Sequence, residues 1–201
     1  MKIVIPGGSG QVGTVLARAF QADGHEVVVL SRRPEERPWC VTVWDGARLG
    51  EWQREIDGSD VVINLAGRSV NCRYNQANRD AILRSRVDST RIVGEAIARS
   101  QRPPRVWLQA STATIYAHRY DAPNDEHTGI MGGGEPDAPD TWTFSIDVAR
   151  SIPEGRLELV RRRVPYEFAS PVLETRSAGQ KIMLRIGPAN AARVKARMVG
   201  E

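Results

Sequence analysis

Cysteine is scarce in this 201-residue chain: Cys40 and Cys72 lie on different segments and form no CxxC pair. That excludes a disulfide framework and a paired-cysteine zinc or redox motif, and a reducing cytoplasm is the expected setting. Long apolar runs are also missing, far short of the ~20 residues that a membrane-spanning helix needs, so no membrane partner is expected. The opening residues MKIVIPGG pass straight into a strand pattern, which predicts no signal peptide. Histidine is limited to three residues. His118 and His127 stand nine apart around Asp121, Asp125 and Glu126, a spacing of no known ligand set, so no metal is expected.

What is present suits one α/β domain with a sizeable core: 41% apolar and 26% charged residues. The formal charge of +4 is a property of the C-terminal part. Residues 149–201 carry 11 Lys and Arg against 5 Asp and Glu, whereas residues 1–148 carry 17 against 19. A nucleic-acid surface on that basic tail has no support from interleaved aromatics or a known fold signature.

Strand and helix patterns alternate. MKIVIPGG reads as a buried strand. GQVGTVLARAFQADG reads as a helix with Val12, Val15, Leu16, Ala19 and Phe20 on one face and Gly24 as its stop. HEVVVLSRR, CVTVWDG, SDVVINLAG and RVWLQAST read as four further strands. Nearly continuous apolar strands suit a parallel sheet covered on both faces. Residues 75–101 read as one long helix in which Gly94 hints at close packing. TFSIDVARS opens another helix, KIMLRIG reads as a sixth strand, and NAARVKARMV as a last helix. The expected fold is α/β, a doubly wound parallel sheet of Rossmann type. Within one domain over residues 1–201, residues 117–143 form a long loop rich in Gly, Pro, Asp and Asn, a length usual for functional loops. Residues 152–201 form a divergent basic segment.

The chemistry starts at GGSGQVG (7–13), between the first strand and its helix. It satisfies G-x-G-x-x-G through Gly8, Gly10 and Gly13, and G-x-x-G-x-x-G through Gly7, Gly10 and Gly13. Glycine there allows a tight turn, close approach of backbone to pyrophosphate, and close helix–strand packing. The free N–H groups at the helix start, with Gln11 and Val12, face the phosphate. A glycine turn without ligand is the plain alternative. At the end of the second strand stand Ser31, Arg32 and Arg33, with no acid. A carboxylate would hold the ribose 2′-hydroxyl of NAD and repel a 2′-phosphate, whereas guanidinium grips one. The expected cofactor is therefore NADP(H), against the alternative of a solvated arginine loop. Asp45, after the third strand, is either an acceptor for the adenine amino group or a turn residue.

GGSGQVG, SRRP, VVINLAG, RDAILRSRVDSTRIVGEAI and STATIYAHRYDAPNDEHTG with PDTWTFSIDVA together resemble the extended short-chain dehydrogenase/reductase superfamily. Most closely they resemble its atypical NAD-dependent epimerase/dehydratase branch of nucleoside-diphosphate-sugar epimerase-like proteins. The resemblance runs from residue 1 to about 150, with SRVDSTRIV its most branch-specific piece. It implies that NLAG, with Leu65, Ala66 and Gly67, lies along the adenosine side of the cofactor. It implies that Ser111 or Thr112 bonds the substrate oxygen. The superfamily's Tyr-x-x-x-Lys pair aligns with FSIDV, where Phe144 and Val148 stand instead. Tyr116 is then the candidate catalytic acid, with His118 second. The resemblance also implies a C-terminal substrate lobe, which is expected to be truncated here; a fragment and a naturally short paralogue both fit.

Two function classes follow. One is an NADP(H)-dependent oxidoreductase or epimerase-like enzyme acting on a small or sugar-nucleotide substrate. The other is an NADP(H)-binding sensor or regulatory protein without turnover, which keeps the cofactor site and dispenses with the pair. A nucleic-acid binder ranks last. A homodimer is compatible with the sequence and required by nothing in it.

Overall fold

The computed structural model describes residues 1–121, 124, 129–152 and 166–169. Six parallel strands form one sheet: β1 Lys2–Pro6, β2 Glu26–Ser31, β3 Cys40–Val43, β4 Val61–Asn64, β5 Val106–Ala110 and β6 Tyr166–Ala169, in the order β3-β2-β1-β4-β5-β6. The crossover helices are α1 Gln11–Ala22, the single turn α2 Gln53–Ile56 and α3 Gln76–Arg99, and α4 Asp140–Ser151 lies between β5 and β6. Register is regular: Ile3 faces Val27 and Val61, and Asn64 faces Gln109.

Because side chains alternate across a strand, the apolar runs build two cores. Ile3, Ile5, Val27, Val29, Val61, Ile63 and Leu108 pack under α1 on Leu16 and Ala17. Val4, Val28, Leu30, Val62 and Trp107 face the other way, onto Trp44, Trp52 and Ile56 and onto Ile92, Val93, Ala96 and Ile97 of α3. The doubly wound parallel sheet expected from the sequence is thus the fold observed. Asn75 starts α3 by accepting the Asn78 N–H at 2.9 Å, and Gly94 is buried on it.

Some details differ from the sequence expectation. On α1, Ala17 is buried and Ala19 exposed, since the face toward the sheet centres on Gly13, Leu16 and Ala17. The loop after β5 ends at Pro139, because α4 begins at Asp140. The sixth strand is Tyr166–Ala169, paired in parallel with β5. KIMLRIG and NAARVKARMV, like most of residues 152–201, lie outside the described residues. Among the described residues no helix is long and apolar enough to cross a membrane.

Trp44 and Trp52 close the α2 side edge to face, 5.3 Å between centroids, and the indole N–H of Trp52 donates to the Arg48 carbonyl at 3.0 Å. With Trp52 only 3% exposed, Trp52→Ala is expected to lower unfolding free energy by about 3–5 kcal/mol. Urea denaturation measures it; a loss below about 1 kcal/mol would mean that this stack is not part of the core.

Candidate functional site

The sheet order reverses between β1 and β4, and that is where open α/β sheets bind ligands, outside the carboxyl ends of the strands. The glycine loop and the NLAG turn leave the sheet there and touch. Gly7 has φ 74°, and a Cβ on it would lie 2.6 Å from the Ala66 Cα. A Cβ on Gly8 would meet the Ile5 carbonyl at 2.9 Å, and one on Gly13 would meet the Gly8 Cα at 2.4 Å. These three glycines are required by the fold itself. Gly10 differs: its nearest neighbour would be the Gly7 carbonyl at 3.7 Å. It caps α1 in extended conformation, no side chain caps that end, and no acid stands in the first turn. The first N–H groups of α1, at Gln11, Val12 and Gly13, have no intrahelical partner by construction, and N–H groups so placed at a helix start can receive an anion.

Ser31 ends β2 buried, its hydroxyl 3.3 Å from that of Ser9, which ties the strand end to the glycine loop. Arg32 and Arg33 follow on the surface. Neither guanidinium has an ion pair or hydrogen bond among the described residues. Asp45 is engaged in a turn: one carboxylate oxygen accepts the Ala47 and Arg48 N–H groups at 2.9 Å each, the other the Arg48 guanidinium at 2.8 Å. The Ala47 N–H first, then the Arg48 guanidinium and the Arg48 N–H, hold its carboxyl down at about 2. The turn role left open by the sequence is therefore filled, and one acceptor position of the carboxylate remains for an amino group.

In NLAG, Asn64 is fully buried; its amide donates to Gln109 on β5 at 2.8 Å and its oxygen accepts the Ala66 N–H at 3.1 Å. Leu65 N–H donates to the Pro6 carbonyl at 2.9 Å. The turn is thus bolted to both neighbouring strands. At the end of β5, Thr112 spends its hydroxyl on the next turn, 2.9 Å from the Thr114 hydroxyl and accepting the Thr114 N–H at 3.2 Å. Ser111, half-buried beside it, has no hydrogen-bond partner among the described residues, which separates two hydroxyls that the sequence alone could not. Tyr116 follows the 3-10 turn Ala113–Ile115, is half-buried, and pairs across to Met131 to close the base of the long loop. His118 stacks on Tyr120 and Trp142 at 4.8 and 6.2 Å; His127 lies outside the described residues. Among the described residues, no three His, Cys, Asp or Glu side chains gather as metal ligands.

Phe144 is half-buried, whereas Val148 is 5% exposed. Phe144 meets Tyr74 edge on at 5.8 Å, with the Arg79 guanidinium over both rings. Tyr74, Arg79 and Arg86 escape the sequence reading. Their only signal is that they flank the turn after NLAG, and the meeting of Tyr74 and Arg79 with Phe144 of α4 is a tertiary event.

A model of the NAD dependent epimerase/dehydratase family matches residues 3–133. A second model, for a protein family of unknown function, matches residues 135–199. The epimerase family protein SDR39U1 of Bos taurus is 33% identical over 156 residues, 76% of this chain and 50% of that protein. The epimerase family protein YfhF of Bacillus subtilis is 34% identical over 121 residues, 58% of this chain and 39% of that protein. Among solved structures, human SDR39U1 (isoform 2) with NADPH is similar at TM-score 0.66 and 23% identity, over 98% of this chain and 59% of that one. The chain spans about half the length, or less, of these curated relatives.

The glycines divide by their surroundings, and so should their variants. Gly13→Ala is expected to destabilise the fold severely, since backbone must shift. Gly10→Ala should stay within about 1 kcal/mol of the parent, the usual cost of alanine at a helix cap. Thermal melts compare the two; equal losses would refute the division.

Proposed function

The chain belongs to the NAD dependent epimerase/dehydratase family, and we propose that it binds NADP(H) and acts as an epimerase/dehydratase-like oxidoreductase on a small or sugar-nucleotide substrate. One observation carries the reading: Gly10 alone among the loop glycines has room for a side chain, at the start of α1 that no side chain caps. The pyrophosphate belongs there, on the N–H groups of Gln11, Val12 and Gly13. Arg32 and Arg33 hold the 2′-phosphate, Asp45 receives the adenine amino group, and Leu65, Ala66 and Gly67 line the adenosine side. The NADPH bound in the solved human relative is in line with this choice. When bound, the nicotinamide supplies or accepts hydride.

The substrate side belongs to Ser111 and Tyr116. The Ser111 hydroxyl, without a hydrogen-bond partner among the described residues, holds the reacting oxygen, and the Tyr116 phenol gives or takes the proton. Phe144 and Val148 carry neither task, for phenyl has no exchangeable proton and position 148 is buried in the core, where an ammonium would be costly. A second reading, an NADP(H) binder without turnover, draws on those same two residues.

Fluorescence titration tests the cofactor. NADPH is expected to bind about tenfold or more tightly than NADH, as a charge-assisted arginine–phosphate bond allows. Gly10→Val should abolish binding while the protein melts near its parent. Equal affinities for the two cofactors, or wild-type binding by the valine variant, would sink the proposal.

Nicotinamide absorbance against a panel of carbonyl substrates tests the chemistry. Tyr116→Phe, which removes one hydroxyl, is expected to lower turnover by about a hundredfold or more. Undiminished turnover removes Tyr116 from the mechanism, and tight NADPH binding with no turnover in the parent favours the second reading.

A further inference from the structure

The segment between β2 and β3 reads RRPEERPW (32–39), and two acids, Glu35 and Glu36, follow close behind its first arginines. The strand end itself has no acid, but Glu35 stands two residues past Arg33, at most about 7 Å of chain away. That is inside the distance over which a carboxylate and a phosphate still repel each other at ordinary ionic strength. A free carboxylate there would also suit the ribose 2′-hydroxyl of NAD. The segment thus contains residues for either cofactor, and the fold decides which of them are free.

The segment is held at both ends. At its start the Ser31 hydroxyl accepts the Arg33 N–H at 3.3 Å and lies 3.3 Å from the Ser9 hydroxyl. At its end the side-chain amide of Gln21, on α1, donates to the Pro38 carbonyl, and Trp39 is buried in the core under α1. Pro34 and Pro38 have fixed φ, and each biases the residue before it, Arg33 and Arg37, toward extended backbone. Between the two prolines one carboxylate is occupied. The Arg37 guanidinium donates to one Glu35 oxygen through Nε at 3.0 Å and through Nη2 at 2.8 Å. Glu35 is half-buried, whereas Glu36 is exposed to solvent. Arg32 and Arg33 keep no counter-charge among the described residues, although the nearest acid is so close in the chain.

We propose that Arg37 determines cofactor specificity by holding Glu35. Paired with Arg37, that carboxylate neither receives the ribose 2′-hydroxyl of NAD nor repels a 2′-phosphate, and Arg32 and Arg33 stay available to the phosphorylated ribose. The proposal deepens the NADP(H) reading above and rests on it. Arg37 acts through Glu35 as a positioning residue and touches no cofactor atom, so its charge matters only while Glu35 is present. An exposed pair of this kind adds little to stability, so its loss should register in cofactor choice and leave folding unchanged.

Fluorescence titrations of NADPH and NADH on the full chain read the ratio of the two Kd values. Arg37→Gln is expected to lower the preference for NADPH about fivefold, with a melting temperature near the parent's. Arg37→Lys, which keeps the charge, should retain most of the preference. Glu35→Gln should restore the ratio in the Arg37→Gln background and change it far less in the parent. Glu36→Gln should leave the ratio as it is, and so should Arg54→Gln, which removes the α2 arginine paired with Glu51. The proposal is overturned if Arg37→Gln keeps the parent ratio. It is overturned too if the double variant stays as low as Arg37→Gln, which would make Arg37 a direct phosphate contact. Equal effects of Glu35→Gln in both backgrounds would mean simple addition of charges and likewise overturn it. A parent with no preference for NADPH discards the NADP(H) reading and this proposal together; a parent that prefers NADPH beside an indifferent Arg37→Gln discards this proposal alone.

Discussion

Gly13, in the first turn of α1, rests directly on the backbone of Gly8, so close that a methyl on Gly13 would displace main chain. The rest of the crevice depends on that approach. It sets the start of α1 over the end of β1, which leaves the helix N–H groups facing outward beside Gly10. It also lets Gly7 lie against Ala66, so that the turns after β1 and β4 meet at the point where the strand order reverses. The floor of the crevice there is made of backbone, and side chains are excluded from it.

The second layer of constraint is polar and buried. Asn64 and Gln109 exchange a hydrogen bond across β4 and β5 inside an otherwise apolar sheet. An unpaired amide at that depth would cost about 1–3 kcal/mol, so the pair specifies register as much as it stabilises. Register in turn decides which residues emerge at the carboxyl ends: the NLAG turn from β4, and Ser111 and Thr112 from β5. The two tryptophans of the β3–β4 crossover and the apolar face of α3 cover one side of the sheet, and α1 covers the other. That leaves the carboxyl edge as the natural place for chemistry.

Charge in the crevice is uneven. Around the end of β2, Arg32 and Arg33 are exposed. Past β4, Arg68, Arg79 and Arg86 gather where α3, the turn after NLAG and α4 meet, with no carboxylate in ion-pair reach among the described residues. Exposed guanidinium groups of this kind suit anionic ligands.

The sheet was legible because parallel strands buried on both faces leave unbroken apolar runs, and the glycine loop because steric demand admits few other residues at Gly7, Gly8 and Gly13. The absence of an acid beside Ser31 is a local feature of the same kind. Three things were decided only in the tertiary structure. That Thr112, rather than Ser111, spends its hydroxyl on the following turn depends on its bond to Thr114. That Asp45 is held by its own turn depends on how the chain bends at Gly46. The aromatic and guanidinium cluster of Tyr74, Arg79, Arg86 and Phe144 joins residues up to seventy positions apart, and no local periodicity encodes a contact between α4 and the turn after β4. Local sterics and strand burial write themselves into composition and spacing; the pairing of distant polar side chains does not, because it is set by where the packed sheet happens to bring them.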